Sequence, residues 1–306
     1  MSGDTIVAVD RLTKRYGQVT ALDGFDLEVT RGEVHGFLGP NGAGKTTTLR
    51  ILLGMVAPTS GTATVFGLDP RHDAVAIHRR LAYVPGDVAL WPSLTGGEVI
   101  DLLGRLGGQQ LDQGRRDELV ARFELDPTRR CRTYSKGNRQ KVALVAAFAL
   151  GAELLVLDEP TSGLDPLMEE VFRQTVREAA DQGATVLLSS HILSEVEALC
   201  DRATIVRSGT RVTTATLADL RGAHHVELAA RLGHEPDLTG IPGLTELSLT
   251  ADGDGDGHEL TCRAAPEALD EVLARLAAAH VLSLTCTPPS LEESFLAHYE
   301  PTGSPA

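Results

Sequence analysis

Lys45, Thr46, Asp158, Glu159 and His191 carry the side chains that phosphoryl transfer uses, and their neighbours explain how they could meet. Residues 39–47 read Gly-Pro-Asn-Gly-Ala-Gly-Lys-Thr-Thr, which fits G-x-x-x-x-G-K-[ST] through Gly39, Gly44, Lys45 and Thr46. Gly42 and Gly44 let such a loop bend tightly, with no Cβ to block a phosphate. The bent loop, from Gly39 through Asn41 to Thr47, turns its N–H groups inward as an anion cradle. A helix from about Lys45 to Leu53 adds the positive end of its dipole, about half a charge. Lys45 then reaches the β- and γ-phosphates, and the Thr46 hydroxyl is placed to ligate Mg²⁺. Chance would produce this pattern in about one per cent of chains of this length.

The elements around these residues are the ones the chemistry needs. Val34 to Leu38 reads as a short buried strand and Thr47 to Leu53 as a helix, so the glycine loop joins strand to helix. Leu154-Leu155-Val156-Leu157 is a continuous apolar run, the mark of a strand buried on both faces. It ends at Asp158 and Glu159, where parallel sheets place their ligands. Asp158 is suited to hold Mg²⁺ and Glu159 to polarise an attacking water. Thr185 to Ser190 reads as a further buried strand, and His191 at its end faces the same crevice.

Composition narrows the class. The chain has 306 residues and a net charge of −14, with no Lys/Arg-rich tract, which argues against a non-specific nucleic-acid binder. Cys131, Cys200, Cys262 and Cys286 are scattered without a C-x-x-C pair and read as reduced thiols. No apolar leader precedes the first strand, and the longest apolar run, Val142 to Leu157, is interrupted and too short to span a bilayer. A membrane role would therefore run through a partner.

Taken in order along the chain, these motifs resemble the ATP-binding subunit of an ABC transporter. Tyr16 matches the aromatic that stacks on adenine, and Gly39 to Thr47 the Walker A loop. Leu154 to Glu159 matches Walker B with its catalytic glutamate, Ser162-Gly163-Leu164-Asp165 the D-loop, and His191 the switch histidine. Tyr134 to Gln140 stands where the family carries LSGGQ, keeping Ser135 and Gly137 while Lys136 and Asn138 depart from it. A helix over about 136–150 puts Ser135 near its N-cap, where a hydroxyl and exposed N–H groups meet an anion. The resemblance covers about residues 5 to 220 and implies two composite MgATP sites in a homodimer. It also implies a separate integral-membrane permease, a place at the cytoplasmic face of the membrane, and an exported substrate that contacts the permease. The closing residues Pro289 to Leu296 resemble the ends of bacterial drug- and antibiotic-exporting members, the daunorubicin-resistance kind.

Gly86 departs further, standing where the family usually has a glutamine that reaches Mg²⁺ and couples the site to the permease. Trp91 to Thr95 resembles the surface that docks the permease, although a lone tryptophan also suits a core.

The expected fold is an α/β P-loop ABC ATPase with a helical subdomain, plus a small C-terminal α+β domain of ferredoxin-like type. The expected divisions are residues 1–220 for nucleotide binding, with the helical subdomain at about 87–150, then 221–300 for the accessory domain and 301–306 for a disordered tail. Strands are expected at 226–228, 259–262 and 281–286, and helices at 266–279 and 291–299. Asp252 to Gly257 imitates the start of an EF-hand loop, but Arg263 stands where such a loop needs glutamate, so it reads as an acidic turn. Two other functions remain open at this point. One is a soluble ABC ATPase uncoupled from transport; the other is a non-hydrolysing drug-immunity binding protein.

Overall fold

A computed structural model describes residues 5–107, 111–222, 226–251 and 257–287. The expected helix at 291–299, the tail from Pro301, nearly all of the acidic turn and Gly108 to Gln110 lie outside the described residues. The chain divides into two compact units, the first ending at Ala215 and the second beginning at Thr216.

The first unit opens with β1 (Thr5–Tyr16) and β2 (Val19–Thr30), an antiparallel hairpin. After β3 (Val34–Leu38), α1 (Lys45–Leu52), β4 (Ser60–Val65), α2 (Ala74–His78) and β5 (Leu81–Val84) come three helices. These are α3 (Gly96–Leu106), α4 (Gln113–Arg122) and α5 (Lys136–Ala149). The unit then alternates through β6 (Leu154–Asp158), α6 (Pro166–Asp181), β7 (Thr185–Ser190), α7 (Leu193–Leu199), β8 (Arg202–Arg207) and β9 (Thr210–Thr216).

Two sheets result. An antiparallel one has the order β2-β1-β4, and a larger one the order β5-β6-β7-β3-β8-β9. The five strands from β5 to β8 in that larger order pair in parallel. Both flanks of its centre are covered, so every residue of β3, β6 and β7 is buried. Burying each large aliphatic side chain there contributes about 1.5–3 kcal/mol. Leu49, Ile51 and Leu52 of α1 share one core with Val7, Phe25 and Leu27 of the antiparallel sheet and with Phe37, Val156 and Leu187 of the parallel one. The helix that follows the glycine loop is thereby gripped from both sides.

The helix starts are written in the side chains. Thr95 and Glu98 form a reciprocal capping box on α3, Ser135 caps α5, and Asp165 caps α6 with Pro166 at its first position.

The second unit holds α8 (Leu217–Gly222), β10 (Val226–Leu232), β11 (Leu244–Ala251), β12 (His258–Ala264), α9 (Leu269–Ala278) and β13 (Val281–Thr287). Its sheet is antiparallel in the order β11-β12-β10-β13. That is the ferredoxin-like order of second, third, first and fourth strand. The difference lies between β10 and β11, where residues 233–243 carry no helix. Leu228, Ala230, Leu232, Leu260 and Cys262 form one core with Val272 and Leu276 of α9.

Candidate functional site

The glycine loop leaves β3 at Leu38 and enters α1 at Lys45. Gly39 N–H donates to the Ser190 carbonyl at 3.3 Å, tying the start of the loop to the end of β7. Gly44 has φ of 108°, and a Cβ there would lie 2.8 Å from the Ala21 carbonyl oxygen and 2.7 Å from Leu22. Glycine at this position is thus demanded by the chain's own packing. Asn41 and Gly42 are exposed, and Thr47 is half-buried at the first turn of α1.

Lys45 is buried, and its Nζ donates to the carbonyls of Gly39 at 2.5 Å and Pro40 at 3.3 Å. The same nitrogen lies 3.8 Å from Glu159 Oε1. Burial lowers the Lys45 pKa from its ordinary range, and the nearby Glu159 and Asp158 carboxylates oppose that shift. Thr46 Oγ1 donates to Asp158 Oδ2 at 3.2 Å. The other Asp158 oxygen accepts a short hydrogen bond from Ser189 Oγ. Glu159 Oε1 is 3.2 Å from His191 Nδ1. The Glu159 backbone is left-handed, with φ of 48°, and its N–H donates to the Ser189 carbonyl at 3.0 Å. A non-glycine residue in that region stores strain of about 1–3 kcal/mol, a cost typical of functional positions.

One hydroxyl, two carboxylates, an ammonium and an imidazole therefore converge at the carboxyl ends of β6 and β7 and the start of α1. Hard oxygen donors paired as Thr46 and Asp158 are paired suit Mg²⁺. Tyr83, on β5 beside this cluster, has its phenol pushed up to about 12 by burial and by the Asp158 charge.

A second group forms at the start of α5. Ser135 Oγ accepts from the Asn138 N–H at 3.2 Å. Lys136 Nζ donates to Ser162 Oγ at 2.6 Å, and a Cβ on Gly137 would stand 2.3 Å from the Gly163 carbonyl oxygen. The start of α5 is thus pressed onto the turn that follows Glu159. Asp165 accepts from the Met168 N–H at 3.0 Å as the cap of α6. Tyr16 ends β1 in the antiparallel sheet, 46% exposed, with Lys14 Nζ 4.8 Å from its ring centroid.

A sequence profile described as ABC transporter matches residues 22–162. The daunorubicin resistance ATP-binding protein DrrA3 of Streptomyces coeruleorubidus is 39% identical over 79% of this chain and 80% of its own length. The chain belongs to the ABC transporter family. The daunorubicin/doxorubicin resistance ATP-binding protein DrrA of Streptomyces peucetius is 36% identical over 96% of this chain and 92% of its own. A solved ATP-binding subunit of an ABC transporter superposes with a TM-score of 0.66 at 32% identity, over 71% of this chain and 92% of that one.

For an ABC ATP-binding chain, Gly86 is placed to matter. A Cβ on it would lie 3.1 Å from the Asp158 carbonyl oxygen and 3.6 Å from Glu159 Cβ. Asp87 beside it is exposed. Trp91 is 47% exposed, so the core reading of that tryptophan does not hold. It lies beside a surface depression of about 330 Å³ lined by Asp87, Val88, Leu90, Pro92, Arg132 and Arg139, among others. Cys131, Cys200 and Cys262 are buried, and burial pushes all three thiols up, away from reactivity.

Sequence reasoning overlooked four residues of the site: Thr161, Ser189, Ser190 and Glu195. Ser189 and Ser190 left a signal, since two hydroxyls end an otherwise apolar strand. Thr161 and Glu195 left none, because a glutamate in a short helix reads as solvent-facing.

Proposed function

We propose that this chain is the ATP-hydrolysing motor of an ABC exporter, and that it drives a separate membrane permease from the cytoplasmic face. The observation that carries the reading is the convergence of Lys45, Thr46, Asp158, Glu159 and His191 on one crevice, with spacings of 3.2–3.8 Å between neighbours. Lys45 neutralises charge on the β- and γ-phosphates, and Gly39, Asn41, Gly42, Gly44 and Thr47 supply the cradle around them. Thr46 and Asp158 would hold Mg²⁺, which when bound supplies positive charge to the phosphate oxygens. Glu159 accepts the proton of the attacking water and orients it, and His191 donates toward the γ-phosphate. Tyr16 offers its exposed ring to adenine.

Among the described residues, no hydrogen bond or ion pair joins Ser135, Gly137 or Asp165 to Lys45, Thr46, Asp158, Glu159 or His191. Those first three act on the nucleotide of a second copy, so the working unit is a homodimer with two composite sites. The cargo is proposed to be a drug, antibiotic or lipid, in line with the resistance proteins this chain is similar to. That cargo touches the permease, which docks beside Trp91, and no nucleic acid takes part.

Turnover of MgATP by the purified chain, with and without Glu159→Gln, tests the chemistry. The variant is expected to bind ATP, accumulate as dimers and lose turnover by about a hundredfold or more. Hydrolysis at the parent rate would remove Glu159 from its role. Purification from native membranes tests the partner: a multi-spanning protein in equal amount supports an exporter motor, and a ribosome or no membrane partner contradicts it.

A further inference from the structure

Glu195, on α7, is buried, yet the phosphoryl-transfer reading gives it nothing to do. Its Oε1 accepts a short hydrogen bond from Thr161 Oγ1, and its Oε2 accepts from Ser190 Oγ at 2.6 Å. Both hydroxyl residues are themselves buried. Thr161 lies two residues beyond Glu159, in a turn closed by Ser162 N–H on the Glu159 carbonyl at 3.2 Å. Ser190 immediately precedes His191, and its Oγ also accepts from the Ile192 N–H at 2.9 Å. One carboxylate therefore grips the two loops that carry Glu159 and His191, on the protein side of the crevice.

A buried carboxylate is a poor choice for stability alone. Removing it from water is costly, and apolar side chains of similar volume usually serve as well or better. What the carboxylate offers is two directed, charge-assisted bonds from a single rigid group. The geometry points to Glu195 as a positioning residue that sets the separation of Glu159 and His191, observed at 3.2 Å. This inference rests on the hydrolytic role proposed for that pair. It adds that the pair is held from behind by Glu195, Thr161 and Ser190, none of which touches nucleotide. If the two loops were untied, each would still carry its residue, but their relative placement would wander by the fraction of an ångström that catalysis does not tolerate.

The experiment is a double-mutant cycle on the full-length chain, reading kcat and KM for MgATP. Glu195→Ala is expected to lower kcat about ten- to a hundredfold while KM stays within about twofold. Glu195→Gln should recover most of the rate. Its oxygen keeps one hydroxyl bond, and its amide can donate to Ser190 once that hydroxyl turns to the Ile192 carbonyl, 3.3 Å away. In the background of His191→Ala, Glu195→Ala should cost less than about threefold more, because the pair it positions is already broken. An unchanged kcat in Glu195→Ala, or losses that multiply in the double variant, would overturn the inference. Should Glu195→Ala not fold, Thr161→Val and Ser190→Ala each cut one arm and are read in the same cycle, with the same two outcomes.

A parent chain that hydrolyses no ATP would defeat the proposed function instead. The His191 ring resonances then decide the positional claim. Movement on Glu195→Ala and on Thr161→Val, with little on Glu195→Gln, supports it, and resonances unmoved on Glu195→Ala and Thr161→Val refute it.

Discussion

Replacing Lys45 by methionine should abolish nucleotide binding while leaving the fold nearly as stable as before. Lys45 is buried and forms charge-assisted hydrogen bonds to the Gly39 and Pro40 carbonyls, each of a kind worth about 1.5–3 kcal/mol when removed. Against that, burial lowers its pKa, so the fold disfavours the charged form more than the unfolded chain does. Methionine fills a similar volume without that penalty and gains from burial of its own. These contributions oppose one another, so the net change expected is smaller than the two hydrogen bonds together, within about 2 kcal/mol.

The pH dependence separates the two chains further. With the folded pKa below the ordinary 10.5, the penalty is in full force below the folded pKa and is relieved as pH rises toward 10.5. The parent should therefore gain stability across that alkaline window, and Lys45→Met should not share this gain. Thermal unfolding with and without MgATP is the assay. At a hundredfold excess over Kd, ligand adds about 2.7 kcal/mol, a rise of roughly 5–10 °C in Tm for a unit of this size. The parent should show that rise and Lys45→Met should show none. A loss of about 3 kcal/mol or more without nucleotide would refute the reasoning, because Lys45 would then be a structural residue first. An undiminished ATP-dependent rise would refute it from the other side.

Gly137→Ala places a Cβ 2.3 Å from the Gly163 carbonyl oxygen, so α5 must lift from that turn. The expected cost is about 1–3 kcal/mol in denaturant unfolding, together with reduced ATP turnover. Gly86→Gln meets its neighbours more gently, at 3.1 Å from the Asp158 carbonyl oxygen. It should fold with stability within about 1 kcal/mol of the parent and change turnover, since its side chain enters beside Asp158; a variant that unfolds would contradict that geometry. Glu153 is held down to about 2 by its hydrogen bonds to Arg80 and, secondarily, to Arg31. Its contribution is present above the ordinary 4.5 and fades as pH falls toward about 2, so Glu153→Gln should flatten acid unfolding in that window alone. The carboxylate is 43% exposed, so the effect should be small and shrink with added salt.

Much of this protein was legible in its sequence because the signals were local. A buried parallel strand is mostly apolar, so β3, β6 and β7 stand out, and the candidate site residues lie at or just beyond their ends, at Gly39, Asp158 and His191. Helix caps are equally local, and Ser135 caps α5 as its position suggested. The antiparallel sheet escaped notice because β1 loses its period-two alternation at register shifts such as the one between Val9 and Leu12. In the second unit the strands flanking α9 were readable. The helix-free passage from β10 to β11 was not, since its irregular backbone carries no periodic signal.

The sequence by itself determined the kinds of groups available for the chemistry and the elements that end at them. Only the tertiary structure decided which groups touch. The Glu159–His191 and Thr46–Asp158 pairs join residues far apart along the chain, and Glu195 is turned inward to hold Thr161 and Ser190. Such pairings follow from sheet order and the packing of helices upon it. No spacing along the chain encodes them, because a hydroxyl and a carboxylate look the same in sequence whether they face water or each other.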